Sequence, residues 1–235
     1  MGNTFGRGYF ATPPITLNLI IANVVVFLAC KLLPIGDLIY DYGMLYWVGS
    51  DRFHLYQFFS YMFLHADTSH IFFNMFSLWM FGRMLEYDLG PRRYMIYYLV
   101  CGVGAALLQT GVTWLELISF KSSLASQVVA QSMSPDMISA IASRQFANHV
   151  MLGASGAVMG VILAFGVLHP NSMIMLMIPP IPMKAKWFVV IFLVLELVMG
   201  VVGVQGSVAH FAHVGGMLWG WLLLRYWRRK HQIFY

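Results

Sequence analysis

Six apolar stretches, set apart by short polar breaks, constrain this chain more than any other feature of its sequence. They cover about residues 15–33, 70–85, 94–111, 150–168, 187–204 and 207–227. Each approaches the roughly 20 residues that an α-helix needs to cross the hydrocarbon of a bilayer. Their residues do not alternate as barrel strands do, and no open sheet crosses lipid with its backbone polar groups unpaired. The predicted fold class is therefore an all-α polytopic membrane protein, a bundle of six transmembrane helices forming one domain over 1–235. Composition agrees, since 60% of the 235 residues are hydrophobic and 10% are charged, against about 25% charged in a soluble domain. So little charge cannot cover the surface of a soluble fold of this size. Disorder, a disulfide-rich secreted scaffold and a nucleic-acid module fall on the same ground. Cys30 and Cys101 lie in apolar runs and read as small buried hydrophobes. The first stretch has neither a strongly basic lead-in nor a clear cleavage site, so it reads as a retained helix rather than a signal peptide.

Lys and Arg set the expected orientation. With a cytoplasmic N-terminus and six crossings, ten of the 14 basic residues lie inside: Arg7, Arg83, Arg92, Arg93, Lys184, Lys186, Arg225, Arg228, Arg229 and Lys230. Only Glu86 and Asp88 oppose them there. Lys31, Arg52, Lys121 and Arg144 lie outside with Asp37, Asp41, Asp51, Asp67, Glu116 and Asp136. The net charge of +5 thus divides into +8 inside and −2 outside, with Glu196 within the fifth stretch. This obeys the positive-inside rule and puts both termini in the cytoplasm. The basicity is an asymmetry across the bilayer, not a binding face.

Two long connections are expected outside. Residues 34–58 carry Tyr40, Tyr42, Tyr46, Trp47 and Tyr56, which suit a segment resting in the membrane interface. Residues 112–148 begin apolar and turn into a Ser/Ala/Gln/Met stretch, which predicts one or two short surface helices. Inside, Pro179, Pro180 and Pro182 stop any helix before the chain re-enters near Lys184. The absence of an internal repeat argues against a transporter built from duplicated halves.

Polar side chains within spans are costly and are functional candidates by default. The second span, entered from outside, brings His70 and Asn74 onto one helical face, four residues apart. The fourth opens on Gly153-Ala154-Ser155-Gly156, and the sixth carries His210 and His213, then Gly216 and Gly220. Three helices running the same way put Asn74, Ser155 and His213 at a shared depth, roughly 5–10 Å below the outer face at 1.5 Å per residue. A serine beside a histidine is a nucleophile with its general base. Glu196 belongs to a helix entered from the opposite side and is expected either to bond within the bundle or to be neutral, so the reading is a Ser–His dyad without a carboxylate. The backbone amide of Ser155, at a helix start, can face a developing oxyanion, and His70 and Asn74 can add donors. Gly216 and Gly220 on the sixth span, with Gly153, Gly156 and Gly160 on the fourth, would let the two helices approach closely. His65 and His210 read as interface or packing histidines, either able to tune a catalytic neighbour. No metal is expected, since no HExxH occurs and no carboxylate completes a ligand set.

These strings resemble the rhomboid family of intramembrane serine proteases. The matching segments are YQFFSYMFLHADTSHIFFN (Tyr56–Asn74), GASG (Gly153–Gly156) and AHFAHVGGMLWG (Ala209–Gly220), in order on the second, fourth and sixth stretches. GxSG alone is weak, because soluble hydrolases also carry it. The resemblance covers about Leu17 to Leu224. It implies Ser155 as nucleophile, His213 as general base and acid, oxyanion donors from His70, Asn74 and the Ser155 amide, and packing glycines at Gly216 and Gly220. It departs from the family's pattern at Tyr56-Gln57, where a Trp-Arg pair is usual, and in the length of the connection over 112–148. Neither an added soluble domain nor a seventh helix is expected.

The expected reaction is hydrolysis of a peptide bond in or near the transmembrane segment of a membrane protein substrate. The substrate unwinds near the outer face and enters beside the second and fifth spans. No cofactor is required, the partners are transmembrane substrates and the bilayer, and the expected location is a bacterial inner membrane. The alternative is a non-catalytic rhomboid-like protein that binds transmembrane helices.

Overall fold

The structure is a computed structural model that describes residues 12–126, 134–175, 180–203 and 210–230. The expectations about Arg7, Pro179, residues 207–209 and both termini lie outside the described residues. Helix α1 (Pro14–Leu32) starts on Pro14, whose fixed φ suits a first helical turn. No side chain of its own end caps it. Glu86, far along the chain, accepts the Ile15 amide at 2.9 Å on Oε1, and the Thr16 amide at 2.7 Å and hydroxyl at 2.8 Å on Oε2. A carboxylate on the free N–H groups of a helix start satisfies donors that have no partner within the helix.

After α1 come the short helix α2 (Gly36–Gly43), strand β1 (Leu45–Tyr46) and a single turn α3 (Gln57–Ser60). The segment 34–58 is thus folded rather than a plain loop. The second apolar stretch is helical from α4 (Thr68–Ser77) through a π-helical turn at Leu78–Gly82 into α5 (Arg83–Leu89). Asp67 caps α4 by accepting the His70 amide at 2.9 Å. The Ser69 hydroxyl and then that amide hold the Asp67 carboxyl below its usual range. Gly90 ends α5 at φ 77°, a conformation that glycine adopts freely, and Pro91 opens the next helix.

That next helix corrects the expected boundary. α6 (Pro91–Ser126) runs for 36 residues, well past the apolar stretch at 94–111 and into the segment read as an external connection. No proline interrupts it. Helix α7 (Pro135–Phe146) follows, with Phe146 against Phe120 of α6 at 5.9 Å between ring centroids. Strand β2 (Val150–Met151) pairs antiparallel with β1, Leu45 opposite Met151. Helix α8 (Ser155–Leu168), the hairpin of β3 (Met173–Met175) and β4 (Pro182–Lys184), α9 (Ala185–Val202) and α10 (His210–Arg229) complete the described chain.

Helix α8 is the centre of the bundle, with eleven of its residues buried, among them Gly156, Gly160, Val161 and Ala164. Around it pack α6 and α10. Tyr97 of α6 donates its hydroxyl to the Gly160 carbonyl at 2.8 Å, and Tyr61 donates to Gly102 on α6 at 2.7 Å. Helix α9 is peripheral: of its residues only Ala185, Val189 and Glu196 are buried. Among the described residues α1, α6 and α9 are long and apolar enough to cross a membrane, and α8 is a shorter apolar helix.

Contacts also sort the helix ends into two groups. At one end Glu86 holds the start of α1, and His169, just after α8, lies 2.7 Å from Asp88. At the other end Lys31 donates to the Ala66 carbonyl at 3.1 Å, β1 pairs with β2, and α8 and α10 begin.

Candidate active site

The site is built where α8 begins. At about 1.5 Å per residue its 14 residues rise only about 21 Å, short of the roughly 30 Å of a hydrocarbon core. Ser155 is the first residue of that helix and is partly buried. Gly153, two residues earlier, has φ 126° and donates its amide to the Tyr61 carbonyl at 2.9 Å. A Cβ there would lie 2.7 Å from His70 Nε2, so the position is closed to other residues by conformation and by space.

His213, one turn into α10, meets the serine: its Nε2 lies 2.8 Å from Ser155 Oγ in a hydrogen bond. The glycines make this approach possible, although not all as expected. A Cβ on Gly216 would sit 1.8 Å from the Gly156 carbonyl oxygen, so α10 and α8 touch backbone to backbone there. Gly220 does not face α8; a Cβ would strike Tyr97 and Cys101 of α6. Gly153 is not a helix-packing glycine either, because it precedes α8 and makes room for His70. Gly156 serves both neighbours, with Ala105 of α6 and the Ala212 carbonyl of α10 beside it.

His70 and Asn74 rise on α4 toward the same place. His70 Nδ1 accepts the Ala66 amide at 3.4 Å, which assigns the proton to Nε2. That Nε2 and Ser155 Oγ lie 2.7 and 3.6 Å from one point, the position a Gly153 Cβ would take. Asn74 is buried, and its Nδ2 has no hydrogen-bond partner among the described residues. Buried donors of this kind cost free energy unless something fills them. Together with the free amides of the first turn of α8, they form a group of donors suited to an oxyanion. His65 packs on His70 edge to face, 4.9 Å between centroids. Burial, and then the neighbouring His70, lower the His65 pKa to about 4.

Two residues escaped the sequence reading. Glu196 was assigned to a different depth, yet its Oε2 lies 2.7 Å from His210 Nδ1 and 3.0 Å from His213 Nδ1. The physical reason is arithmetic: Glu196 is twelve residues into α9, hence only six from its other end, level with the start of α10. The His210 contact has hydrogen-bond geometry, whereas His213 Nδ1 lies off the hydrogen-bond direction. Glu196, His210 and His213 offer one ligand atom each within 4.8 Å of one another, so the carboxylate missing from the expected metal set is present. Tetrahedral ligands about 2.0–2.1 Å from a zinc ion would stand about 3.3 Å apart; 2.7 and 3.0 Å are the separations of direct polar contacts.

Gln57 is the second. It is fully buried and accepts the Tyr46 amide at 3.3 Å and the His54 amide at 3.2 Å, while donating to the Arg52 carbonyl at 2.9 Å and the Tyr42 carbonyl at 3.3 Å. It pins the segment that carries β1, and β1 pairs with the strand leading to Ser155. The departure at Tyr56-Gln57 thus has its own anchoring.

The fold and site define a helical, multi-pass membrane protein with a half-buried Ser–His contact. The Rhomboid domain family matches residues 52–230, and the chain belongs to the rhomboid family. It is 30% identical over 184 residues to Rhomboid-like protein 11, chloroplastic, of Arabidopsis thaliana, covering 73% of this chain and 53% of that one. It is 26% identical over 174 residues to Rhomboid protein 1, mitochondrial, of Saccharomyces cerevisiae, covering 72% of this chain and 42% of that one. The chain spans about half the length of these curated relatives.

Proposed function

We propose that this protein is an intramembrane serine endopeptidase that cuts membrane proteins in or near a transmembrane segment. The observation that carries the proposal is the 2.8 Å hydrogen bond between Ser155 Oγ and His213 Nε2 at the start of a short apolar helix. Membership of a family commonly made up of intramembrane serine proteases supports it. In this reading six helices cross the bilayer, formed by α1, α4 with α5, α6, α8, α9 and α10, and the charge asymmetry supports a cytoplasmic location of both termini. The whole chain acts as one domain, and its proposed location is a bacterial plasma membrane.

Ser155 attacks the scissile carbonyl as His213 Nε2 takes the hydroxyl proton. A positioned base of this kind contributes about 10²–10⁴-fold. The oxyanion is held by the Ser155 amide, Asn74 Nδ2 and His70 Nε2–H, each donor worth on the order of 10²–10³-fold. His213 returns the proton to the leaving amine, and water reaching the site from the outer face resolves the acyl-enzyme. The start of α8 is crowded by glycine contacts, which favours small substrate residues beside the cut. The test is cleavage of a single-pass reporter in detergent, with mass spectrometry of the protein after fluorophosphonate treatment. Ser155→Ala should abolish both cleavage and labelling while the fold is kept. Undiminished cleavage by that variant rejects the proposal.

A further inference from the structure

We propose that Glu196 is a positioning residue for His213, so that the working group at this site is Glu–His–Ser with His210 holding the carboxylate, rather than a dyad. The inference rests on the proposed serine chemistry and goes beyond it. A carboxylate inside an apolar helix is costly and persists where it is paired. On the peripheral helix α9 it is not forced inward by packing, since its neighbours Val194, Leu195, Leu197 and Val198 are all exposed. Glu196 alone in that stretch is buried, and its Oε2 meets both imidazoles, at 2.7 Å and 3.0 Å.

The arrangement has a chemical consequence for His213. Its Nε2 faces Ser155 Oγ and must be a bare acceptor to take the hydroxyl proton. The carboxylate beside Nδ1 favours the tautomer with its proton on Nδ1, which leaves Nε2 bare. It also offsets the positive charge that the ring gains when Ser155 attacks. His210 Nδ1 makes the aligned bond to the same oxygen and so fixes where the carboxylate stands. The 3.0 Å contact to His213 is off-line in the resting arrangement, and catalytic hydrogen bonds of this kind commonly align only once substrate is bound. Because Glu196 is on α9 and His213 on α10, the activity of the base depends on α9 being in place.

The experiment compares wild type with Glu196→Gln, Glu196→Asp and His210→Phe in steady-state cleavage, fluorophosphonate labelling of Ser155 and thermal unfolding. Glu196→Gln keeps the shape and loses the charge. It should lower kcat on the order of 10²-fold, with KM changed less than about 2-fold, and slow labelling in parallel. Glu196→Asp, smaller but charged, should recover at least part of that loss. His210→Phe should lower kcat by a smaller factor. A Gln variant with wild-type kcat, or one at least as active as the Asp variant, overturns the proposal. Loss of activity on adding EDTA, restored by zinc, also overturns it by making the three side chains metal ligands. Retained cleavage by Ser155→Ala would instead strike the serine reading itself, so the two failures are separable.

Discussion

The acidic groups at one end of the bundle and the amide of Asn74 at the other are treated in opposite ways. At the end where α1 starts, the acidic side chains are satisfied: Glu86 accepts three hydrogen bonds from the start of α1, and Asp88 meets His169 at 2.7 Å. At the end where α8 starts, Asn74 Nδ2 is buried without a partner, and Gly153 holds a backbone conformation that few residues tolerate. The first end uses its two carboxylates to hold the fold. The second keeps donors unfilled at a cost in stability, which is the usual mark of a site reserved for a reacting group. Substitutions at the two ends should therefore separate stability from turnover.

The largest effect is expected where the site depends directly on helix approach. Gly216→Val puts side-chain atoms into the Gly156 carbonyl, so cleavage and Ser155 labelling should both fall below detection and thermal stability should drop. Gly111→Ala, whose added Cβ meets nothing within 4 Å, is the control and should leave all three unchanged. Wild-type cleavage by Gly216→Val would show that the α8–α10 approach does not build the site. Next, Asn74→Ala should lower kcat about 10²–10³-fold while leaving the unfolding midpoint unchanged or raised, because it removes an unfilled donor. A fall in stability with normal kcat would turn Asn74 into a fold-holding residue and erase the contrast. Glu86→Gln should do the reverse, costing about 2–3 kcal/mol of stability through weakened charge-assisted bonds, with kcat at low temperature unaltered.

The smallest effect concerns His65. Its pKa falls from the ordinary 6.5 to about 4, burial being the main cause and His70 the next. The unfolded chain then binds more protons than the folded one between those values. Stability is complete above pH 6.5 and declines as pH falls toward 4, by at most about 3.5 kcal/mol from this group. His65→Phe, which cannot titrate, should flatten that part of the curve in unfolding measured across the window. An unchanged slope would assign the acid sensitivity to other groups.

Much of this was legible in the chain before its fold was known. The strings around His70, Ser155 and His213 lie on helices that run in one direction, and their spacing from the helix starts sets a common depth. The length of α6 was less visible, because hydropathy falls after Gly111 while helix formation continues; the better signal was the lack of any proline between Pro91 and Pro135. The depth of Glu196 is hidden in sequence order because a residue near the end of one helix lies level with the start of its antiparallel neighbour. Gln57 gave no sign of its four bonds, which join residues of a folded segment rather than a motif.

The sequence by itself determined that this chain lives in lipid, roughly where its helices lie, and which uncharged polar residues stand out within them. Those follow from local hydropathy and the fixed rise of a helix, which need no knowledge of neighbours. Only the tertiary structure decided that Gly216 meets Gly156 while Gly220 meets α6, that Glu86 caps a helix seventy residues away, and that Glu196 stands between His210 and His213. Each depends on the rotation of one helix about its axis relative to another. That rotation is set by how whole faces pack, and no single stretch of sequence contains it.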